Sequence, residues 1–295
     1  MITFLRFGHH GRLGNILYQY AFLRSASLAS GQELILPDDI DNREWHSQKC
    51  LLNSFNVSYT KENYNEILKK VKFTAEEKTE HYFNFIDHYL KSIDGINYYG
   101  YFQNYLYFKK FEEQVLKELT FKEELEAKSL ELLKEVKKNF KGYKIVSIQI
   151  RRGDRMNMDV HNSLNLFGPD GTLTKDCRYR KYIDSCISKI SGKKVFMIST
   201  GGSRDGQDQT DVEWCRQNFK DYNYILPPTT SDIEDFALMS KCDANIIGIA
   251  TSFGWWAGLL NEDRNPVFCT DLLNDFTKRE APPGFLPEKF IKVSI

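Results

Sequence analysis

The sequence predicts an α/β protein whose two halves each carry a parallel sheet, and three observations lead there. The chain opens on a strand, a glycine-rich turn, a helix and a second strand, the unit from which parallel sheets are built. From Lys122 onward, apolar runs of strand length alternate with helical segments. A length of 295 residues is long for one core, so two domains are expected, 1–121 and 122–295.

The first strand is expected at Ile2–Phe7, followed by Gly8, Gly11 and Gly14 and a helix from Asn15 to about Ala29 with Ile16, Tyr20, Leu23 and Leu28 near one face. Gly31 is placed to end that helix, and a strand at Glu33–Leu36 stops at Pro37. The stretch from Asp38 to Phe121 mixes short signals. Its aromatic run Tyr98–Phe108 reads as core first and as the wall of a sugar site second.

The second half is regular. A charged helix to about Phe140 precedes a buried strand at Ile145–Ile150, a helix near Arg178–Ile190 and a strand at Val195–Thr200. A helix at Asp211–Phe219 and a short strand at Tyr224–Leu226 follow. Ser231 and Glu234 have capping-box spacing for a helix through Lys241. Ala244–Ala250 reads as a buried strand, Thr251–Asn261 as a turn into a short helix, and Pro266–Thr270 as the last strand. Ligands of such a domain are expected at the carboxyl ends of its strands.

Composition narrows the function. Lysines plus arginines equal aspartates plus glutamates at 40 each, so no overall field draws in a polyanion, and no basic patch with interleaved aromatics suggests nucleic acid. No signal peptide and no apolar run of about 18 residues is visible, so no transmembrane segment is expected. The expected location is the cytoplasm, or the Golgi lumen if an N-terminal anchor has been removed. The six cysteines are scattered without zinc spacing and read as reduced, buried thiols.

Three segments carry the chemistry. In Gly8-His9-His10-Gly11-Arg12-Leu13-Gly14-Asn15 the glycines permit close backbone approach, and the following helix offers N–H groups to an anion. Arg151-Arg152-Gly153-Asp154 follows a buried strand; two guanidiniums there suit a diphosphate, with an Arg–Asp network tying loops together as the other reading. Ala250-Thr251-Ser252-Phe253-Gly254-Trp255-Trp256 sets hydroxyls and N–H groups at a strand mouth beside aromatic rings. Asp39-Ile40-Asp41 has the D-x-D form of manganese-dependent transferases, although a turn or cap is the commoner use of such residues. Asp205, Asp208 and Asp211 miss the calcium-loop template.

Together these segments resemble the α-1,2-fucosyltransferases of glycosyltransferase family 11. The N-terminal family motif is similar to Gly11-Arg12-Leu13-Gly14-Asn15 continuing to Tyr20-Ala21, and H-x-R-R-G-D to Gln149-Ile150-Arg151-Arg152-Gly153-Asp154. The late motif is similar to Asp235-Phe236-Ala237-Leu238-Met239 through Cys242 and then Thr251 to Trp256, and G-Y-F-Q to Gly100-Tyr101-Phe102-Gln103. The resemblance implies a GT-B-like fold of two Rossmann-like domains facing across a cleft, the first on the acceptor side and the second holding GDP-β-L-fucose.

It also implies inverting transfer of L-fucose to the 2-hydroxyl of a galactoside in a glycan, with no metal and no cofactor. Arg151 is then expected on the diphosphate, where it stabilises the charge growing on the leaving group. Arg152 and Asp154 are expected to order its loop, with Asp154 also the candidate general base. Gly11, Arg12, Gly14, Asn15, Gln149, Arg152, Asp235, Thr251, Ser252 and Phe253 complete the expected nucleotide-sugar contacts. Two departures stand out. Gln149 replaces the family histidine and cannot exchange a proton near neutral pH. Thr200-Gly201-Gly202 stands where aspartates are common. A fucosyltransferase of other linkage or acceptor, and a non-catalytic GDP-sugar or glycan-binding relative, stay open at this level.

Overall fold

The computed structural model describes residues 1–78, 85–152, 166–201, 210–249, 251–262, 264–270, 272–274, 279–280, 284 and 286–294. The chain divides into two units, Met1–Lys122 with Pro282–Pro287, and Glu123–Ala281 with Glu288–Ile295. A single boundary between 121 and 122 therefore misses the short return of the chain to the first unit.

In chain order the first unit contains β1 (Ile2–Thr3), α1 (Leu13–Ser30), β2 (Ile35–Pro37), β3 (Glu44–Trp45), β4 (Gln48–Lys49), β5 (Thr60–Glu62), α2 (Tyr64–Lys70), β6 (Phe73–Glu76), β7 (Ile96–Tyr99) and α3 (Glu112–Glu118). Strands β6, β7 and β1 pair in parallel, and a parallel bridge between Ile2 and Leu34 carries the sheet on to the parallel pair β2–β5. Helix α1 is buried on nearly every side, from Leu13 to Ser27, and so is a central helix rather than an amphipathic one. Gly31 ends it at φ 68°, a left-handed conformation that glycine adopts without a Cβ penalty.

The first strand is shorter than its apolar sequence suggests. After Thr3 side chains take over the backbone bonds: the Leu5 N–H donates to Asn97 Oδ1 at 2.9 Å, and the buried Arg43 guanidinium donates to the carbonyls of Leu5 and Phe7 at 2.6 and 2.9 Å. The chain turns there instead of extending. The aromatic run is core: Tyr98, Phe102, Tyr105, Tyr107 and Phe108 are all buried, and Phe102 stacks on Phe22 with centroids 3.8 Å apart.

The second unit contains α4 (Glu123–Asn139), β8 (Lys144–Arg151), α5 (Arg178–Ser188), β9 (Lys194–Gly201), α6 (Thr210–Asn218), β10 (Tyr224–Ile225), α7 (Asp232–Met239), β11 (Ala244–Ile246), α8 (Ser252–Leu259), β12 (Val267–Cys269), the antiparallel pair β13 (Leu272–Asn274) and β14 (Arg279–Glu280), and β15 (Phe290–Lys292). Among the described residues its main sheet runs β10-β9-β8-β11-β12-β15, every pairing parallel. Numbered by appearance this is the doubly wound Rossmann order, which reverses between β8 and β11. Ile145, Val146, Ile148 and Ile150 on β8 have no exposed surface, and each contributes roughly 1.5–3 kcal/mol by burial. That burial fixes where β8 ends.

Two local expectations change. Ser231 makes no side-chain cap on α7; Glu234 accepts from the Thr230 N–H at 2.9 Å and from Lys128 at 2.6 Å, so the spacing is present without the reciprocal box. The strand in the apolar run after Asp243 ends at Ile246, and the sheet gains a further edge strand, β15, beyond the expected last one. All six cysteines are buried free thiols. Among the described residues no helix is long and apolar enough to cross a membrane.

Candidate active site

The crevice of the second unit opens where two strands part. Strand β11 pairs with β8 at Ala244, Asn245 and Ile246, whereas β8 continues through Gln149, Ile150 and Arg151 paired with β9. Tyr179 on α5 pins the parted strands: its hydroxyl donates to the Gln149 carbonyl and accepts the Ile249 N–H, both at 3.2 Å. One strand over, the Tyr182 hydroxyl shares its single proton between the carbonyls of Ile247 at 2.8 Å and Phe268 at 3.1 Å. In an open parallel sheet such a point of reversal is where ligands bind.

The expected residues gather at this edge. Arg151 closes β8 and is half-buried. Arg152 turns to the loops: its Nε donates to Asp211 at 3.1 Å, one terminal nitrogen donates to the Gly171 carbonyl at 2.9 Å, and the guanidinium lies 4.1 Å over the Trp214 ring. Arg152 thus forms the Arg–Asp network that the sequence offered as the second reading, and Arg151 ends the strand beside it. Thr251 caps α8, its hydroxyl accepting the Gly254 N–H at 3.5 Å. Ser252 and Phe253 follow in the first turn, and Phe253 packs edge-on against Phe236 of α7 at 5.1 Å. Asp235 is buried one residue before Phe236 and accepts from the Thr229 hydroxyl. Asp154, with Gly153, lies outside the described residues.

Gln149 is buried beneath this turn. Its Oε1 has no hydrogen-bond partner among the described residues, and it lies 2.7 Å from where a Cβ on Gly248 would stand and 2.8 Å from one on Gly254. Gly254 leaves room for this side chain, and Gly248 for both it and the Gln149 carbonyl.

In the first unit the motif glycines and the G-Y-F-Q segment meet at the carboxyl ends of β1 and β7. Gly11 has φ 97° and a Cβ there would stand 2.5 Å from that of Asn15, so only glycine fits. Arg12 precedes α1 without capping it, Gly14 is buried in its first turn, and Asn15 Oδ1 accepts from the Gln103 side chain. Gln19 joins both turns, donating to the carbonyls of His10 and Gly100. Burial and then the charge of Arg6 lower the His10 pKa to about 4, so its imidazole is neutral near pH 7 and packs among aromatic rings, while His9 is exposed. Of the D-x-D aspartates, Asp39 pairs with Arg43 at 2.7 Å and Asp41 with Lys61 at 2.6 Å.

The sequence pattern of glycosyl transferase family 11 matches residues 7–267, which takes in both of these clusters. The chain belongs to glycosyl transferase family 11. Its similar relatives include galactoside alpha-(1,2)-fucosyltransferase 2 of Rattus norvegicus, 24% identical over 94% of this chain and 73% of the rat protein. Another is the O-antigen biosynthesis glycosyltransferase WbnK of Escherichia coli, 25% identical over 85% of this chain and 88% of that one. Among solved structures the fucosyltransferase NodZ from Bradyrhizobium superposes with a TM-score of 0.52 at 12% identity, covering 88% of this chain and 92% of NodZ. At that identity the likeness speaks for the fold, and the GT-B-like α/β class expected from the sequence is the class of this family 11 chain.

Sequence reasoning missed several residues of this glycosyltransferase's site. Tyr179 and Trp214 hold the strand ends and Arg152 from distant positions that nothing in their own segments marks, and Asp211, weighed above only against a calcium loop, pairs with Arg152. Gly248 did leave a signal, since a glycine inside an otherwise apolar strand pattern marks a close approach.

Proposed function

We propose that the chain transfers L-fucose from GDP-β-L-fucose to the 2-hydroxyl of a terminal β-galactoside, with inversion and without a metal. The observation that carries this reading is the position of Arg151 at the end of β8, across the β8–β11 reversal from the Thr251-Ser252 turn that opens α8. A diphosphate seated there meets a guanidinium on one side and a helix N-terminus on the other. The names of the relatives, galactoside alpha-(1,2)-fucosyltransferases, favour this donor and linkage.

The acceptor hydroxyl attacks the anomeric carbon opposite the departing GDP. Negative charge grows on the leaving phosphate, and Arg151, at the end of β8, is the proposed group to receive it. Asp154 is the proposed base for the hydroxyl proton. The first unit, with Gly11, Asn15 and Gln103, takes the acceptor side. Incubation with GDP-fucose and β-galactosides, with linkage analysis of the product by NMR, is the test. A product of another linkage, or hydrolysis of the donor alone, defeats it.

Gln149 favours one other reading, a GDP-sugar-binding relative without turnover, because its amide stands where the family has a titratable ring. GDP binding by calorimetry without transfer to any glycan, with transfer appearing in Gln149→His, would establish that reading instead.

A further inference from the structure

We propose that the rings of Trp45, Tyr99 and Tyr101, gathered about His10 at the carboxyl edge of the first unit's sheet, form the platform on which the neutral galactoside acceptor stacks. This rests on the transferase reading above and names the acceptor site within it. Within Tyr98–Phe108 the core rings Tyr98, Phe102 and Tyr107 are at most 1% exposed, whereas Tyr99 and Tyr101 stay half-buried at the rim. His10 stacks on Tyr101 with centroids 4.2 Å apart and planes 20° apart, lies 4.6 Å from Tyr99, and meets Trp45 edge-on at 5.8 Å. A pyranose presents an apolar C–H face and a hydroxyl edge, and rings with a polar surround match both.

The cluster is held in place before any ligand arrives. Trp45 sits on the β3–β4 hairpin, whose turn residues His46 and Ser47 have φ 48° and 60°, a conformation usually left to glycine or asparagine. Such backbone persists only where its surroundings enforce it and collects at functional sites. The His9 ring hydrogen-bonds the Glu44 carbonyl at 3.2 Å, fixing the hairpin's base. Tyr101 is fixed from below: buried Glu77 accepts the N–H groups of Tyr101 and Phe102, both at 2.8 Å, and Phe102 adopts φ 51°. Arg6 lies 5.2 Å over Tyr99 and supplies donors for sugar hydroxyls. With His10 neutral, the rings themselves carry no charge, which suits an uncharged sugar.

The test is a fluorescence titration of the intact chain, with GDP present, by methyl β-galactoside and by lactose, repeated with Trp45→Phe. The other three tryptophans lie in the second unit, so Trp45 is the reporter for the first. A saturable change is expected in the wild type and its loss in Trp45→Phe, together with an acceptor KM raised about tenfold in Trp45→Ala at unchanged KM for GDP-fucose. A full change in Trp45→Phe, or none in the wild type, overturns the platform even if Trp45→Ala fails to fold. A Trp45-dependent saccharide signal without any fucosyl transfer would sink the transferase reading and leave the platform standing.

Discussion

The guanidinium of Arg152 lies over the indole of Trp214, 4.1 Å from the ring centroid, while its Nε holds Asp211 at 3.1 Å. Both charged side chains are only 12% exposed, so removing one strands the other in a poorly solvated place. Arg152→Ala is expected to lower stability by about 3 kcal/mol in urea unfolding. Arg152→Lys should recover little of it, because an ammonium has neither the planar face nor the fork of donors. Arg151→Ala should lower kcat by roughly 10²–10³-fold. A near-normal kcat in that variant would contradict its role at the leaving phosphate.

Glu77 makes stability depend on pH. Burial raises its pKa to about 8, against the weaker opposing pull of the Phe102 and Tyr101 N–H groups. The unfolded chain loses this proton near pH 4.5 and the folded chain holds it to about 8, so the fold binds more protons across that window and its stability falls as pH rises through it. Glu77→Gln keeps an acceptor for both N–H groups and removes the charge. Its melting temperature should exceed that of the wild type at pH 8 by more than at pH 5. A pH-independent difference would show that the carboxyl is ionised throughout.

The two glycines around Gln149 should respond differently to a second substitution. A Cβ on Gly254 would meet only the end of the Gln149 side chain below 3.0 Å, whereas one on Gly248 would also meet the Gln149 backbone carbonyl at 2.6 Å. Shortening the side chain with Gln149→Ser should therefore rescue the stability of Gly254→Ala and leave Gly248→Ala impaired. Equal rescue of both would refute the steric account.

Transfer should survive chelation. In the proposed mechanism Arg151 meets the charge at the leaving phosphate, so rates with EDTA and with added manganese are expected to agree within about twofold. Loss of transfer with EDTA and its return with manganese would reassign the step to a metal.

Much of the second unit was legible because its signals are local. Apolar runs such as Ile145–Ile150 have strand length, and the stretch from Glu123 to Asn139 has helical period, so β8 and α4 fall within a residue or two of expectation. The first unit was harder. β5, β6 and β7 are three or four residues long, and β5 and β6 are exposed on most positions, so no alternation betrays them. β1 was overestimated because Asn97 and Arg43, distant in sequence, take its backbone bonds.

By itself the sequence determined the α/β class, the strand-end location of Arg151 and the glycine turn before α1, since each follows from residues within one short segment and from the geometry glycine alone permits. Only the tertiary structure decided that Arg152 is a loop clamp, that Gln149 lies in a cradle of two glycines, and that Asn15 meets Gln103. Those depend on which segments, dozens of residues apart, are brought together when parallel strands pair, and pairing partners are chosen by packing over the whole sheet rather than by any local pattern.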